Sequence, residues 1–195
     1  MRITRVECLI AATLLYGLLV TSARASEFNH SHKLYANGLK QYVKGGLVDY
    51  SELKSNPNEL RSYLDQTATV SEADFNSWTQ ERRLAFLINL YNAGALLLII
   101  DHYPVASIKD IAADSKGQWE LPVVSLFGEK ITLNHLEHGI IRKSYDEPRV
   151  HFALVCAALG CPSLKLPEHS AGRSSGLSSS ICGGEVDVST HAEEC

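Results

Sequence analysis

Between Thr79 and His102 the hydrophobic positions Leu84, Leu87, Ile88, Tyr91, Ala95 and Leu98 recur every three or four residues. That spacing is one broad face of a helix. Ser77 with Gln80 fits a capping box at its start, and Pro104 closes it. The apolar density predicts a central buried helix, while Asn89, Asn92 and the flanking charges argue against a membrane span. Two amides in a buried helix need partners. Hydrogen bonds to neighbouring loops would satisfy them; alternatively, one of them orients a catalytic group.

The same reading places the other elements. Leu34, Leu39, Tyr42 and Val43 predict a first amphipathic helix, stopped by Gly45-Gly46. Leu47 to Tyr50 follows as a short extended piece. Ser51 to Leu64 has helical character interrupted by Pro57. Ser107 to Ile111 is a short helical turn. Leu121–Leu126 and Lys130–Thr132 predict a hairpin around Phe127-Gly128-Glu129. Thr132 can cap a helix with Leu133, Leu136, Ile140 and Ile141 on its apolar side. At α-helical spacing His135, His138 and Arg142 would share a face of it. Val150 to Cys156 alternates and predicts a buried strand ending in the small-residue turn Ala157-Ala158-Leu159-Gly160. Few strands among many helices predict an α+β fold, a long buried central helix on a small, mainly antiparallel sheet.

The two ends differ from this pattern. Arg2 and Arg5 precede the apolar run Leu9–Val20, and Ala23-Arg24-Ala25 is a small-x-small cleavage signal. At about twelve residues that run is short of the ~20 a spanning helix needs. The expectation is a signal peptide over 1–25, a mature start at Ser26, a periplasmic or secreted location and no retained membrane anchor. From Ser170 to Ser180 serine and glycine dominate, which predicts a low-complexity tail over 167–195. One domain, 26–166, lies between.

Charge removes one class of partner. Without residues 1–25, Lys+Arg falls from 18 to 15 and Asp+Glu from 22 to 21, so the net charge moves from −4 to about −6. No basic face for nucleic acid is expected; other partners are unknown from sequence. No dinucleotide or phosphate-loop fingerprint occurs, and no cofactor is predicted.

Chemistry concentrates in Arg149–Pro162. This stretch holds His151, Cys156 and Cys161 around the predicted strand end, where a thiol can be exposed while the core holds its flanks. Export permits a disulfide between Cys156 and Cys161; a catalytic thiol would instead be an exposed thiolate with a lowered pKa.

Several blocks in order carry a family resemblance. They are Phe86-Leu87-Ile88-Asn89-Leu90-Tyr91-Asn92-Ala93, His102 to Ile111, Leu136 to Arg142, and Asp146 to Cys156 followed by Gly160-Cys161-Pro162. Over residues 47 to 165 the chain resembles the domain of unknown function 547 family. The resemblance implies a domain and names no reaction. Relatives continue after the Cys-Pro-x-Leu block with helical sequence, whereas here Lys165 leads into the Ser/Gly-rich tail. The expectation is therefore a truncated or divergent C-terminus.

Three readings of the site follow. In the first, Cys156 is a nucleophile for hydrolysis or acyl or peptidyl transfer. His138 or His151 is its base, Glu137 or Asn92 orients that base, and the N–H groups of Ala157 and Ala158 face the oxyanion. In a regular strand His151 and Cys156, five apart, point to opposite faces, which favours His138 as partner to Cys156, or a bulge between them. In the second, His138, His151, Cys156 and Cys161 form a soft set for Zn²⁺ or Cu⁺, or a redox site. In the third, the domain is non-catalytic, Cys156–Cys161 is a staple, and Arg142 and Arg149 pair with Glu137, Asp146 or Glu147. Asn89 and Cys161 then serve substrate binding or structure. Only an enzyme should lose activity on Cys156→Ala while keeping its fold.

Overall fold

A computed structural model of the chain describes residues 27–44, 47–111 and 117–155. The expected signal peptide, Ser26, Cys156, Ala157, Ala158, Cys161 and the tail 167–195 lie outside the described residues.

Local signals set the ends of the helices. After an entry segment, α1 (Lys33–Lys40) packs Tyr35, Ala36 and Leu39 inward. Tyr42 and Val43, expected to extend this helix, do not: Val43–Lys44 forms β1, paired antiparallel with β2 (Leu47–Val48). Asp49 then caps α2 (Tyr50–Ser55), its side chain accepting from the Glu52 N–H at 3.0 Å. Pro57 separates α2 from α3 (Asn58–Ala68), as its ring allows at a helix start and not within one. Ser71 caps α4 (Glu72–Ser77).

The long helix α5 runs Gln80–His102 and is capped by Thr79, whose hydroxyl accepts from the Arg82 N–H at 3.4 Å. Ser77, the cap expected from sequence, instead donates to the Asp74 carbonyl at 2.6 Å and closes α4. Sixteen of the 23 residues of α5 are buried, so no face is left to solvent over most of its length. A helix apolar all round belongs in a core. It is long and apolar enough to cross a membrane, yet its apolar faces pack against α2 and α3 and against the second hairpin.

That hairpin joins β3 (Pro122–Leu126) to β4 (Glu129–Thr132) antiparallel. Phe127 and Gly128 turn it, both with positive φ (52° and 85°), the backbone whose twist matches a two-residue hairpin. Gly94 lets β3 approach α5: a Cβ there would come within 2.4 Å of Val124 Cγ1. The fold is α+β, with the long buried helix in the middle and two small antiparallel hairpins beside it.

After β4 the chain winds as a π-helix over His135–Ile141 and continues as α6 (Arg142–Ser144). Thr132 accepts from the His135 N–H at 3.0 Å. In the π-helix the Arg142 N–H donates to the Glu137 carbonyl, so residues five apart stack. Leu136 and Ile141 point into the core, and Glu137 and Arg142 pair outside it. The expected α-helical face of His135, His138 and Arg142 does not form. His135 folds back over Gly139, with Nδ1 2.6 Å from where a Cβ would be, while His138 and Arg142 both reach Glu137.

The strand expected over Val150–Cys156 is also corrected. Val150–Ala153 is a helical turn, α7, and Leu154 follows in extended backbone. The preceding turn explains the difference. Glu147 accepts from the Arg149 N–H at 3.1 Å, and the N–H groups of Val150, His151 and Phe152 donate back to the carbonyls of Glu147, Pro148 and Arg149. This start leaves the alternating apolar pattern no ladder to join. Val150 and Ala153, three apart, are buried instead.

Candidate active site

α5 presents two neighbouring polar residues to two different partners. Tyr91 forms the floor of a cleft of about 180 Å³, walled by Trp119, Asn134 and Glu137 and rimmed by His138. Asn92, one step round the helix, faces the segment after α7. Its Nδ2 donates to the Ala153 carbonyl at 3.0 Å, and its Oδ1 accepts from the Val155 N–H at 2.9 Å. Both backbone groups of a buried stretch are thereby satisfied. Cys156 is the next residue in the chain.

Glu137 is the electrostatic centre. Its Oε1 accepts from Arg142 Nε at 3.0 Å and from Nη2 at 2.8 Å. His138 Nε2 lies 3.9 Å from the same oxygen. Tyr91 hydrogen-bonds to Glu137 as well; burial first, and then the carboxylate beside it, hold its phenol well above the ordinary range. The phenol is thus neutral and donates. Arg142 also reaches His151, Nη2 to Nδ1 at 3.3 Å. A guanidinium only donates, so this contact makes Nδ1 the acceptor and places the imidazole proton of a neutral His151 on Nε2.

Expected residues thus fall into separate roles. Glu137, His138, Arg142 and His151 come together in one network. Asn92 stands apart from it and holds backbone rather than an imidazole. Asn89 donates to the Ala85 carbonyl of its own helix at 2.9 Å and takes no part in the cleft. Arg149 pairs with Glu147 through Nε and Nη2, both at 2.7 Å, and this holds the Glu147 carboxyl down at about 2. Of the proposed metal set, His138 and His151 are described. Among the described residues no three His, Cys, Asp or Glu side chains gather to hold an ion.

Three cleft residues were not singled out from the sequence. Tyr91 was absorbed into the apolar stripe of α5. Trp119 stacks on it, centroids 6.5 Å apart and planes 17° apart. Asn134 donates from Nδ2 to Glu120 Oε1 at 2.7 Å. Trp119 carried one available signal: a large aromatic between Gln118 and Glu120, outside any apolar period.

Fold and site together define an α+β domain with a half-polar cleft against a buried central helix. The chain matches, over residues 75–172, the family described as "Protein of unknown function, DUF547", half of its 195 residues. It belongs to that family. The match starts at Phe75, later than the resemblance read from residue 47, and includes every residue lining the cleft. No curated protein and no solved structure matches the chain.

Proposed function

We propose that the chain is an exported thiol-dependent hydrolase or acyl or peptidyl transferase, with Cys156 as its nucleophile. The observation that supports it best is the pair of hydrogen bonds by which Asn92 donates to the Ala153 carbonyl and accepts from the Val155 N–H, holding the backbone that leads to Cys156. A nucleophile needs such a fixed approach. His138 is the base in this reading and Glu137 orients it, 3.9 Å away. His151 is the poorer base, because Arg142 occupies its Nδ1 and Nε2 bears the proton. The earlier objection to His151, its opposite face on a strand, lapses with the strand.

His138 removes the thiol proton and the thiolate attacks a carbonyl carbon. The tetrahedral intermediate collapses to a thioester as the leaving amine or alcohol takes that proton from His138. Water, or an acceptor amine or alcohol, then attacks the thioester and restores the thiol.

Alkylation of the native chain tests the reading. Cys156 should react with iodoacetamide near neutral pH at least about tenfold faster than in the denatured chain, from a lowered thiol pKa. His138→Ala should remove that advantage. Labelling of Cys156 and Cys161 only after reduction would mean a disulfide, and the reaction reading would fail in favour of a structural or redox role.

A further inference from the structure

The cleft at His138 is lined by two aromatic rings, an amide, a carboxylate and an imidazole. Its aromatic members, Tyr91 and Trp119, present ring surface. Asn134 gives one of its two amide N–H groups to Glu120, so its carbonyl oxygen and its second N–H remain. Glu137 has Oε1 held by Arg142, and the Tyr91 hydroxyl bonds the same carboxylate. Glu137 is the carboxylate of the lining, and the Arg142 guanidinium points its N–H groups at Glu137 and His151. An anion entering here meets the Glu137 carboxylate, although the lining also carries the Trp119 indole N–H, the second Asn134 N–H and His138 as donors. A cation meets π faces, a carboxylate and an amide oxygen, the set that recognises ammonium groups.

Size narrows the ligand further. Pockets for whole small molecules run to roughly 300–1,000 Å³, and this cleft holds about 180 Å³. It suits the end of a chain rather than a complete ligand. A fully methylated ammonium would offer no N–H to Glu137 or Asn134, whereas a primary ammonium offers three.

We propose that the cleft binds a primary alkylammonium group, carried by a lysine side chain or by a free polyamine. Its place in catalysis rests on the Cys156 reading; binding itself needs no thiol. As acceptor, the ammonium loses one proton to His138, and the amine attacks the thioester. The carbon–sulfur bond breaks as the carbon–nitrogen bond forms, and the second nitrogen proton returns the sulfur to a thiol.

The test titrates n-butylammonium, and separately n-butanol of the same shape, into the full chain, following the Trp119 indole N–H by NMR. The ammonium should shift it saturably and bind at least about tenfold more tightly than the alcohol. Glu137→Gln should cost about tenfold and Trp119→Leu about fivefold. Cys156→Ala should change neither. A peptide carrying one lysine and 1,5-diaminopentane then separate the two sources by which binds more tightly. Equal binding of alcohol and ammonium, displacement by a neutral methyl glycoside alone, or no saturable shift overturns the inference. The native-chain comparison stands even where a variant fails to fold. A reactive Cys156 without amine binding would sink only this inference; amine binding beside an inert thiol would sink only the reaction.

Discussion

Asn92 shows how much one side chain can decide. Both of its polar atoms are used, and both partners are backbone groups buried with it. Asn92→Ala would leave the Ala153 carbonyl and the Val155 N–H unsatisfied, at about 2–4 kcal/mol together. Urea denaturation should show that loss, and the Val155 amide should exchange faster. Asn89→Ala should cost no more than about 1 kcal/mol, because its partner carbonyl lies in its own helix. Equal losses from the two changes would mean that the clamp has no special weight. Gly94→Ala makes a second contrast with ordinary helix propensity. Alanine favours helices, but here its Cβ would sit 2.4 Å from Val124 Cγ1 and 3.0 Å from Leu133 Cδ2. Overpacking of about 1–3 kcal/mol should outweigh the propensity gain, lowering the denaturation midpoint. That an amide on a buried helix must have partners was legible in the sequence. Which partners it has was not, since Ala153 is 61 residues away.

Among the elements, the π-helix over His135–Ile141 organises the cleft. Residues five apart stack along it, so the apolar pair Leu136 and Ile141 faces the core while Glu137 and Arg142 pair outside. Such segments are costly and concentrate at functional sites. Thr132 starts the winding by accepting from the His135 N–H. Thr132→Ala should therefore cost about 1 kcal/mol and loosen Asn134 and Glu137. Thermal melting should report the first effect and butylammonium affinity the second. Thr79→Ala, at the start of α5, should lower the melting temperature without touching amine affinity. If both variants weaken amine binding alike, the π-helix has no separate role in shaping the cleft. The sequence pattern located this helix and its cap but carried it at the wrong period. A π turn differs from an α turn by one residue, and apolar spacing over two turns cannot separate them. The misread strand after Pro148 has a similar origin. Alternation over seven residues is compatible with a strand, and the turn built on Glu147 overrides it locally.

At the scale of the molecule, the entry segment before α1 is bound into the core by aromatic contacts. Phe28 packs on Trp78 and Phe86, with centroids 5.6 and 5.2 Å away, and His30 meets Trp78 edge-on at 4.3 Å. His32 is buried, with Nδ1 2.8 Å from the Tyr63 hydroxyl. Nε2 of His32 and both ring nitrogens of His30 find no hydrogen-bond partner among the described residues. Burial holds His32 down to about 4, with His30 adding to the effect, and lowers His30 in the same direction. The consequence for stability has a definite sign. Below about pH 6.5 the unfolded chain takes up protons that the folded chain refuses. Stability is therefore complete above that pH and falls as the pH drops toward 4. His32 alone would contribute up to about 3 kcal/mol of this loss. Urea midpoints between pH 7.5 and pH 4.5 should show the decline, and His32→Leu should flatten it by about one proton. An unchanged slope in the variant would assign the decline to other groups.

The sequence alone determined the class of fold, the position of the buried helix, the second hairpin and the helix start at Thr132. These follow from apolar period, caps and turn residues, which act within a few positions of one another. It also marked Glu137, His138, Arg142 and His151, because charged and imidazole side chains stand out against an apolar pattern. Tertiary structure decided the rest. Trp119 and Tyr91 became a cleft wall and floor only when the turn before β3 packed over α5. Asn92 became a clamp only when the chain after α7 returned to the same helix. Contacts between residues this far apart in the chain leave no local signal, and they alone choose which polar groups meet.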